Sequence, residues 1–341
     1  MANIFPALTR VHPSFMEPEL ILTYAQASAA FSALSKGKPD VKIGAGDLFV
    51  YIRSLNLQTQ TQANQAAPNY LPSATLVADY YSTSTYLLRV RADYDRHDMA
   101  AAANWNVALP AAQDLGMKQG IYQAMRSGLL YGYNPSNNEG LLNAVGATKV
   151  SLPDDSQGND TLMTYDAGEL ALFFLTQISN LLNRVYTTGK KKLEIVFVGP
   201  QRILRTMQFA DIVELVSYQR TGAGTATVGQ EIAKVAEEND VDVLYGYDDT
   251  LIGQGAGGWD AVIMTLREVE EPHMQNPDTD VFAGLQPNMR AVNLMYADSA
   301  APIKIPTPIP DGGITEVQEL RTTSGWNIRP QAMSIISINY Q

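Results

Sequence analysis

The sequence predicts an α+β protein, and three observations carry the prediction. Residues 110–131 have the spacing of one long helix, with Gly116, Gly120, Ala124 and Gly128 recurring every fourth residue. Asp47 to Leu57 and Thr75 to Tyr94 are rich in β-branched and aromatic residues and read as two strands. From Thr161 to Leu266 helical and strand patterns alternate, as in a small α/β or α+β unit lodged mid-chain.

Pro110 suits the first position of the long helix, where a missing N–H costs nothing. Met117, Ile121, Met125 and Leu129 form a second row beside the glycines. The helix runs to about Tyr131 and spans roughly 30 Å at about 1.5 Å per residue. A glycine inside a helix costs about 1 kcal/mol relative to alanine. Three on one stripe imply that another backbone lies close, either a sheet of the same subunit or a second helix. The spine ends at Tyr131-Gly-Tyr-Asn-Pro135 and, after a polar turn, Gly140-Leu-Leu-Asn143.

The 341 residues suffice for a large core and for more than one domain. The absence of cysteine excludes disulfides, zinc thiolates, iron–sulfur clusters and cysteine nucleophiles. The opening MANIFPALTR lacks a basic segment followed by an apolar run, so no secretory signal is expected there. No apolar stretch is long enough to span a bilayer, so no membrane partner is expected. The formal charge is −11, and Lys190-Lys191-Lys192 is the longest basic run. A surface that grips duplex DNA clusters Lys and Arg, so tight DNA binding is not expected. Such a chain can still lie beside DNA.

Taken in order, Glu17 to Leu34 reads as an alanine-rich amphipathic helix that Gly37 and Pro39 end. It is either an arm on a neighbour or a peripheral helix of its own subunit. The connection from Gln58 to Ser73, QTQTQANQAAPNYLPS, is long for a compact domain and carries no charge. Both flanks are strands, so it reads as the end of an extended hairpin that reaches another subunit. Gln58, Gln60, Gln62, Tyr70 and Leu71 are its expected inter-subunit contacts. Asp93, Asp95, His97 and Asp98 invite a metal hypothesis, since hard cations take oxygen ligands. Asp95 or Asp98 is equally a natural N-cap for a short helix from Met99 to Trp105, and capping is the reading taken.

Thr161 to Gly189 is expected to be a helix with Leu170, Phe174, Ile178, Leu181, Leu182 and Val185 inside. Asp166 and Glu169 resemble a capping box, and Gly189 is the stop. Leu193 to Val198 is a strand, Gln201 to about Val216 a helix, and Glu231 to Glu238 another helix. Val241 to Tyr245, Trp259 to Leu266 and Ala291 to Tyr296 read as strands, with a loop from Glu268 to Asp280. Ala300 to Gly313 holds four prolines and two glycines, too many for regular structure. Ile314 to Arg321 and Met333 to Tyr340 are the closing strands.

Few residues suggest chemistry. Gly253-Gln-Gly255-Ala-Gly-Gly258 matches G-x-G-x-x-G, but Trp259 to Met264 after it reads as a strand. A dinucleotide site needs a helix N-terminus there, with its N–H groups facing the pyrophosphate. His12, His97 and His273 place no pair on one helix face, and no G-x-S-x-G occurs. No catalytic, cofactor-binding or metal residue is expected.

The order of parts is more telling. Leu129-Leu-Tyr-Gly132, Gly140-Leu-Leu-Asn143, Val196-Phe-Val-Gly-Pro200 and Trp326-Asn-Ile-Arg-Pro330-Gln-Ala332 follow one another around the long helix. In that order the chain resembles, over nearly its whole length, the major capsid protein of tailed bacteriophages, the Hong Kong 97-type fold. The resemblance implies an N-terminal arm at 1–46 and an extended loop at 47–95. It implies a peripheral domain from 96–189 and 299–341 with the spine helix, and an axial domain at 190–298. It implies assembly of hexamers and pentamers into an icosahedral shell around DNA, hence a virion location after assembly in host cytoplasm. The further partners it allows are a separate scaffolding protein, a portal and cement proteins. Some members link subunits through a lysine on the extended loop; no lysine lies between Leu57 and Thr75, so no such bond is expected. The arm is too short for a built-in scaffold, so a separate one or none is expected. Two other readings stand beside this: an encapsulin-like shell with enzyme cargo, and a nucleotide-dependent oxidoreductase resting on Gly253 to Gly258.

Overall fold

The computed structural model describes residues 30–59, 74–104, 108–185, 192–212, 226–269, 292–299, 301–310 and 312–341. The described chain begins with α1 (Ala30–Ser35) and β1 (Val41–Lys42), then the paired strands β2 (Phe49–Thr59) and β3 (Ala74–Tyr94). α2 (Arg96–Asn104), the long α3 (Leu109–Tyr131), β4 (Thr148–Ser151) and α4 (Ala167–Asn183) follow. Next come β5 (Leu193–Gly199), α5 (Gln201–Phe209), β6 (Asp211–Ile212), β7 (Ala226–Thr227) and α6 (Val228–Glu238). β8 (Val241–Tyr247), β9 (Asp260–Leu266), β10 (Leu294–Met295) and β11 (Ala297–Asp298) precede β12 (Ile303–Pro308). β13 (Ile314–Thr323), β14 (Trp326–Asn327) and β15 (Met333–Ile338) complete it.

Two sheets organise these elements. One runs β1-β11-β13-β3-β2, with β12 also paired to β13. The other runs β4-β15-β9-β5-β8 and mixes parallel with antiparallel pairs. Its interior strand β5, between β9 and β8, is buried on both faces, because side chains alternate along a strand and both faces are covered. Ile195 and Phe197 point into a core built with Leu170, Phe174, Ile178 and Leu181 of α4, Ile203 of α5 and Ile232 of α6. Val196 and Val198 point the other way, to Phe31 and Leu34 of α1 and Leu129 and Leu130 of α3. Each such side chain taken from water contributes roughly 1.5–3 kcal/mol.

Of the three glycines on the stripe of α3, one lies against the subunit's own sheet. A methyl at Gly120 would touch Val90 of β3 at 3.8 Å, and Gly128 lies beneath the Tyr133 ring. Gly116 faces open space, so no described neighbour requires a glycine there.

Several expected bounds move. The expected start of the first helix at Glu17 lies outside the described residues; its last turn packs in the subunit's own core. α2 begins at Arg96 rather than Met99, because Asp95 and Asp98 cap reciprocally, at 2.8 and 3.2 Å. α4 begins at Ala167, with Asp166 accepting from the Gly168 N–H at 2.9 Å; Thr161 instead bridges to Asn339. α4 stops at Asn183, and Gly189 lies outside the described residues. α5 ends at Phe209 rather than Val216, since the chain turns at Ala210 into β6. α6 starts at Val228, set by the Thr227–Gln230 capping box. The stretch expected to be irregular, 300–313, contains β12, which pairs residue by residue with β13. Among the described residues β12 has no other partner, and an edge strand tolerates Pro306 and Pro308 because it need not donate on its open side. Of the strand expected at Ala291 to Tyr296, Leu294–Met295 forms β10, Ala291 lies outside the described residues, and β11 follows at Ala297–Asp298.

Strand pairing also crosses the expected domain bounds. β4, α4 and β15, from segments 96–189 and 299–341, share a sheet or core with β5, β8 and β9 from 190–298.

Candidate functional site

The hairpin extends beyond the sheet that holds its root. β2 and β3 pair antiparallel from Phe49↔Ser84 to Thr59↔Ala74, eleven pairs in all. β13 pairs with β3 only from Thr85 to Tyr94. Residues 49–59 and 74–84 therefore form a two-stranded ribbon without a third strand among the described residues. Its length is roughly 35 Å at about 3.3 Å per residue. A two-stranded hairpin is marginal in water by itself.

The ribbon exposes large apolar side chains. Phe49, Tyr51, Val77, Tyr80 and Tyr81 are all exposed, Tyr51 and Tyr80 at 66% and 63%. Register places Tyr51 opposite Ser82 and Arg53 opposite Tyr80, so Phe49, Tyr51, Arg53 and Tyr80 share one face. The Phe49 and Tyr51 rings lie 6.3 Å apart. Exposed aromatic side chains grouped on one face make the ribbon a candidate interaction surface.

Of the contact residues expected from sequence, Gln58 lies in β2 opposite Thr75. Gln60, Gln62, Tyr70 and Leu71 lie outside the described residues. Sequence reasoning did not single out Phe49, Tyr51, Tyr80 or Tyr81 as contacts. The alternation Phe49-x-Tyr51-x-Arg53 was the available signal, but only the register joins it to Tyr80.

The hairpin's root is tied to the body on both faces. On one, Thr85 Oγ1 donates to Asp47 O at 2.5 Å, and Arg321 Nη1 donates to Asp47 O at 3.1 Å and Thr85 Oγ1 at 2.9 Å. On the other, the Tyr86 hydroxyl donates to Glu139, and the Tyr86 ring packs against Tyr133 at 4.9 Å. Burial, together with the Glu139 hydrogen bond and charge, pushes the Tyr86 phenol up to about 12. A groove of about 370 Å³ lies at this root, lined by Ile52 and Tyr81 of the ribbon and by Asn138, Val145, Trp326 and Pro330 of the body.

The glycine-rich segment at 253–258 forms two tight turns rather than a phosphate cradle. The Gly253 N–H donates to Asp260 Oδ1 at 3.0 Å, and strand β9 follows directly. Among the described residues no group of three or more His, Asp or Glu is placed to hold a metal ion. Among them, too, no helix is long and apolar enough to cross a membrane.

No family model matches the chain, and no curated protein matches it by sequence. Solved structures do. The capsid of Myoviridae phage XM1 is 11% identical with a TM-score of 0.67, over 95% of this chain and 96% of that one. The capsid of cyanophage P-SCSP1u is 9% identical with a TM-score of 0.57, over 100% of both chains. The capsid of an empty GTA particle is 10% identical with a TM-score of 0.55, over 96% of this chain and 95% of that one. The chain has the fold of these capsid subunits, which is the Hong Kong 97-type fold implied by the sequence resemblance.

Proposed function

We propose that the chain is a major capsid protein that assembles with copies of itself into an icosahedral phage head around double-stranded DNA. The observation that carries this reading is the ribbon: roughly 35 Å of two-stranded sheet with exposed aromatics and no third strand in its own described chain. A neighbouring copy lying against it supplies the missing burial. Gln58, Gln60, Gln62, Tyr70 and Leu71 extend that contact toward the tip. The fold shared with phage capsid subunits supports the same assignment.

The role is structural rather than catalytic. The proposed division is an arm at 1–46, an extended loop at 47–95, a peripheral domain at 96–189 and 299–341, and an axial domain at 190–298. The mixed sheet ties the last two together. A shell of this kind sits in the virion and is built in the host cytoplasm, with a separate scaffolding protein or none, and leaves room for a portal and cement proteins. The net charge of −11 suits a wall that neighbours packaged DNA without binding it.

Negative-stain electron microscopy of the purified protein tests this. Closed shells, rings or tubes are the expected result. A persistent small monomer that turns over a substrate would overturn it.

A further inference from the structure

We propose that Glu139 is a latch that sets the angle at which the hairpin leaves the body. The strand β3 changes support at one level: Thr85 to Tyr94 pair with β13, whereas residues 74–84 pair, among the described residues, only with β2. Tyr86 lies one residue inside that boundary. Its hydroxyl reaches both Glu139 oxygens, at 3.0 and 2.9 Å. Glu139 is 8% exposed and also accepts from Ser324 Oγ at 2.6 Å and the Asn134 N–H at 3.3 Å. Ser324 is itself oriented by the Tyr133 N–H, which donates to its Oγ at 3.0 Å.

Among the described residues Glu139 forms no ion pair, so neutral donors alone hold this buried carboxylate. Taking a carboxylate from water is expensive, and apolar side chains fill such a space at lower cost. What the carboxylate adds is direction. Its donors arrive from three segments: β3, the turn after α3, and the turn after β13. Hydrogen bonds weaken steeply off line, so all three are satisfied together only over a narrow range of hairpin angles.

The opposite face supplies the pivot. Thr85 and Tyr86 are consecutive in a strand and point to opposite sides. Thr85 is tied to Asp47 and Arg321, which lie at the hairpin's base and in its own sheet. Released from Glu139, the ribbon turns about that tie. The inference concerns a single subunit and does not rest on the proposed assembly.

The chain has no cysteine, so Val77→Cys on the ribbon and Leu172→Cys on α4, both exposed positions, take spin labels selectively. Double electron–electron resonance on the unassembled full chain, diluted in unlabelled protein, reads the distance between them. The labelled parent is expected to show one narrow distribution. Tyr86→Phe keeps the ring against Tyr133 and removes only the hydroxyl; it and Glu139→Gln are expected to broaden the distribution at least ~2-fold, the amplitude of a freed hinge. Tyr94→Phe, on the same strand as Tyr86 and with its hydroxyl 3.5 Å from Glu316 of β13, is expected to leave it unchanged. Unchanged widths in both test variants would overturn the proposal, as would a broad distribution in the parent. Loss of the far-ultraviolet circular dichroism signal in Tyr86→Phe would overturn it too, because the contact would then carry the fold and not the angle.

Discussion

The backbone N–H of Gly325 donates to the carbonyl of Gly128 at 3.1 Å. That carbonyl also accepts the Gly132 N–H at 3.1 Å, so one oxygen of α3 serves both its helix and the turn after β13. The Gly140 N–H returns the tie by donating to Gly325 O at 2.8 Å. Backbones this close leave no room for side chains. A methyl on Gly325 would fall inside contact distance of the Leu129 carbonyl, and one on Gly128 would enter the Tyr133 ring.

Two glycine substitutions should therefore act with opposite signs. Gly325→Ala meets backbone that cannot yield, and is expected to destabilise the subunit by about 1–3 kcal/mol, the range for overpacking. Gly116→Ala meets nothing within 4 Å in a helix interior, and is expected to stabilise it by about 1 kcal/mol. Urea midpoints of the unassembled subunit measure both, with the m-value unchanged.

Asp114 links the N-terminal half of α3 to the sheet beneath it. Its carboxylate accepts Lys118 Nζ at 2.8 Å and Gln318 Nε2 at 2.6 Å, and pairs with Lys304 of β12. The hydrogen bonds from Lys118, then Lys304, and more weakly Gln318 hold its pKa at about 2, below the usual 3.8. A depressed carboxylate stabilises the fold above its unfolded pKa and loses that contribution as pH falls through the folded value. The wild type should thus lose stability between pH 5 and 2 faster than Asp114→Asn. Paired urea titrations at those limits test it; parallel losses would refute the assignment.

Arg202 grips Asp260 with two bonds of 2.7 Å, and its guanidinium lies 4.7 Å from the centre of the Tyr340 ring. Asp260 is buried and also accepts the Gly253 N–H. Arg202→Met leaves that carboxylate without its cation. Removing one partner of a buried pair costs about 3–5 kcal/mol, and the partly exposed Arg202 places this case at about 3. Thermal melting of the subunit measures the loss.

Tyr51 and Tyr80 lie on the ribbon and touch little of their own subunit. Replacing both with serine should leave the melting temperature of the unassembled chain nearly unchanged. The critical concentration for assembly should rise at least ~10-fold, about 1.4 kcal/mol. Light scattering against protein concentration reads it, and an unchanged threshold would remove this face from the contact. A second check is a denaturing gel of mature particles. With no lysine between Leu57 and Thr75, monomeric bands and no ladder are expected.

The sequence alone determined the features that depend on local repetition. The span of α3, the buried face of α4, the two hairpin strands and the strand β5 all follow from the local pattern of apolar residues. Periods of 3.6 and 2 record that within a dozen residues. The uncharged connection after Leu57 likewise pointed to the hairpin as the functional element. Only the tertiary structure decided matters of pairing. Ile303 to Pro308 became a strand because its place at a sheet edge removes the cost of its prolines, which a local count cannot see. β15 joined β4 and β9 across long stretches of chain, and Glu139 met Tyr86 and Ser324 from 53 and 185 residues away. The aromatic face of the ribbon needed the register that sets Arg53 against Tyr80. A one-residue slip would turn every side chain to the other face, and nothing in a local pattern selects between the two.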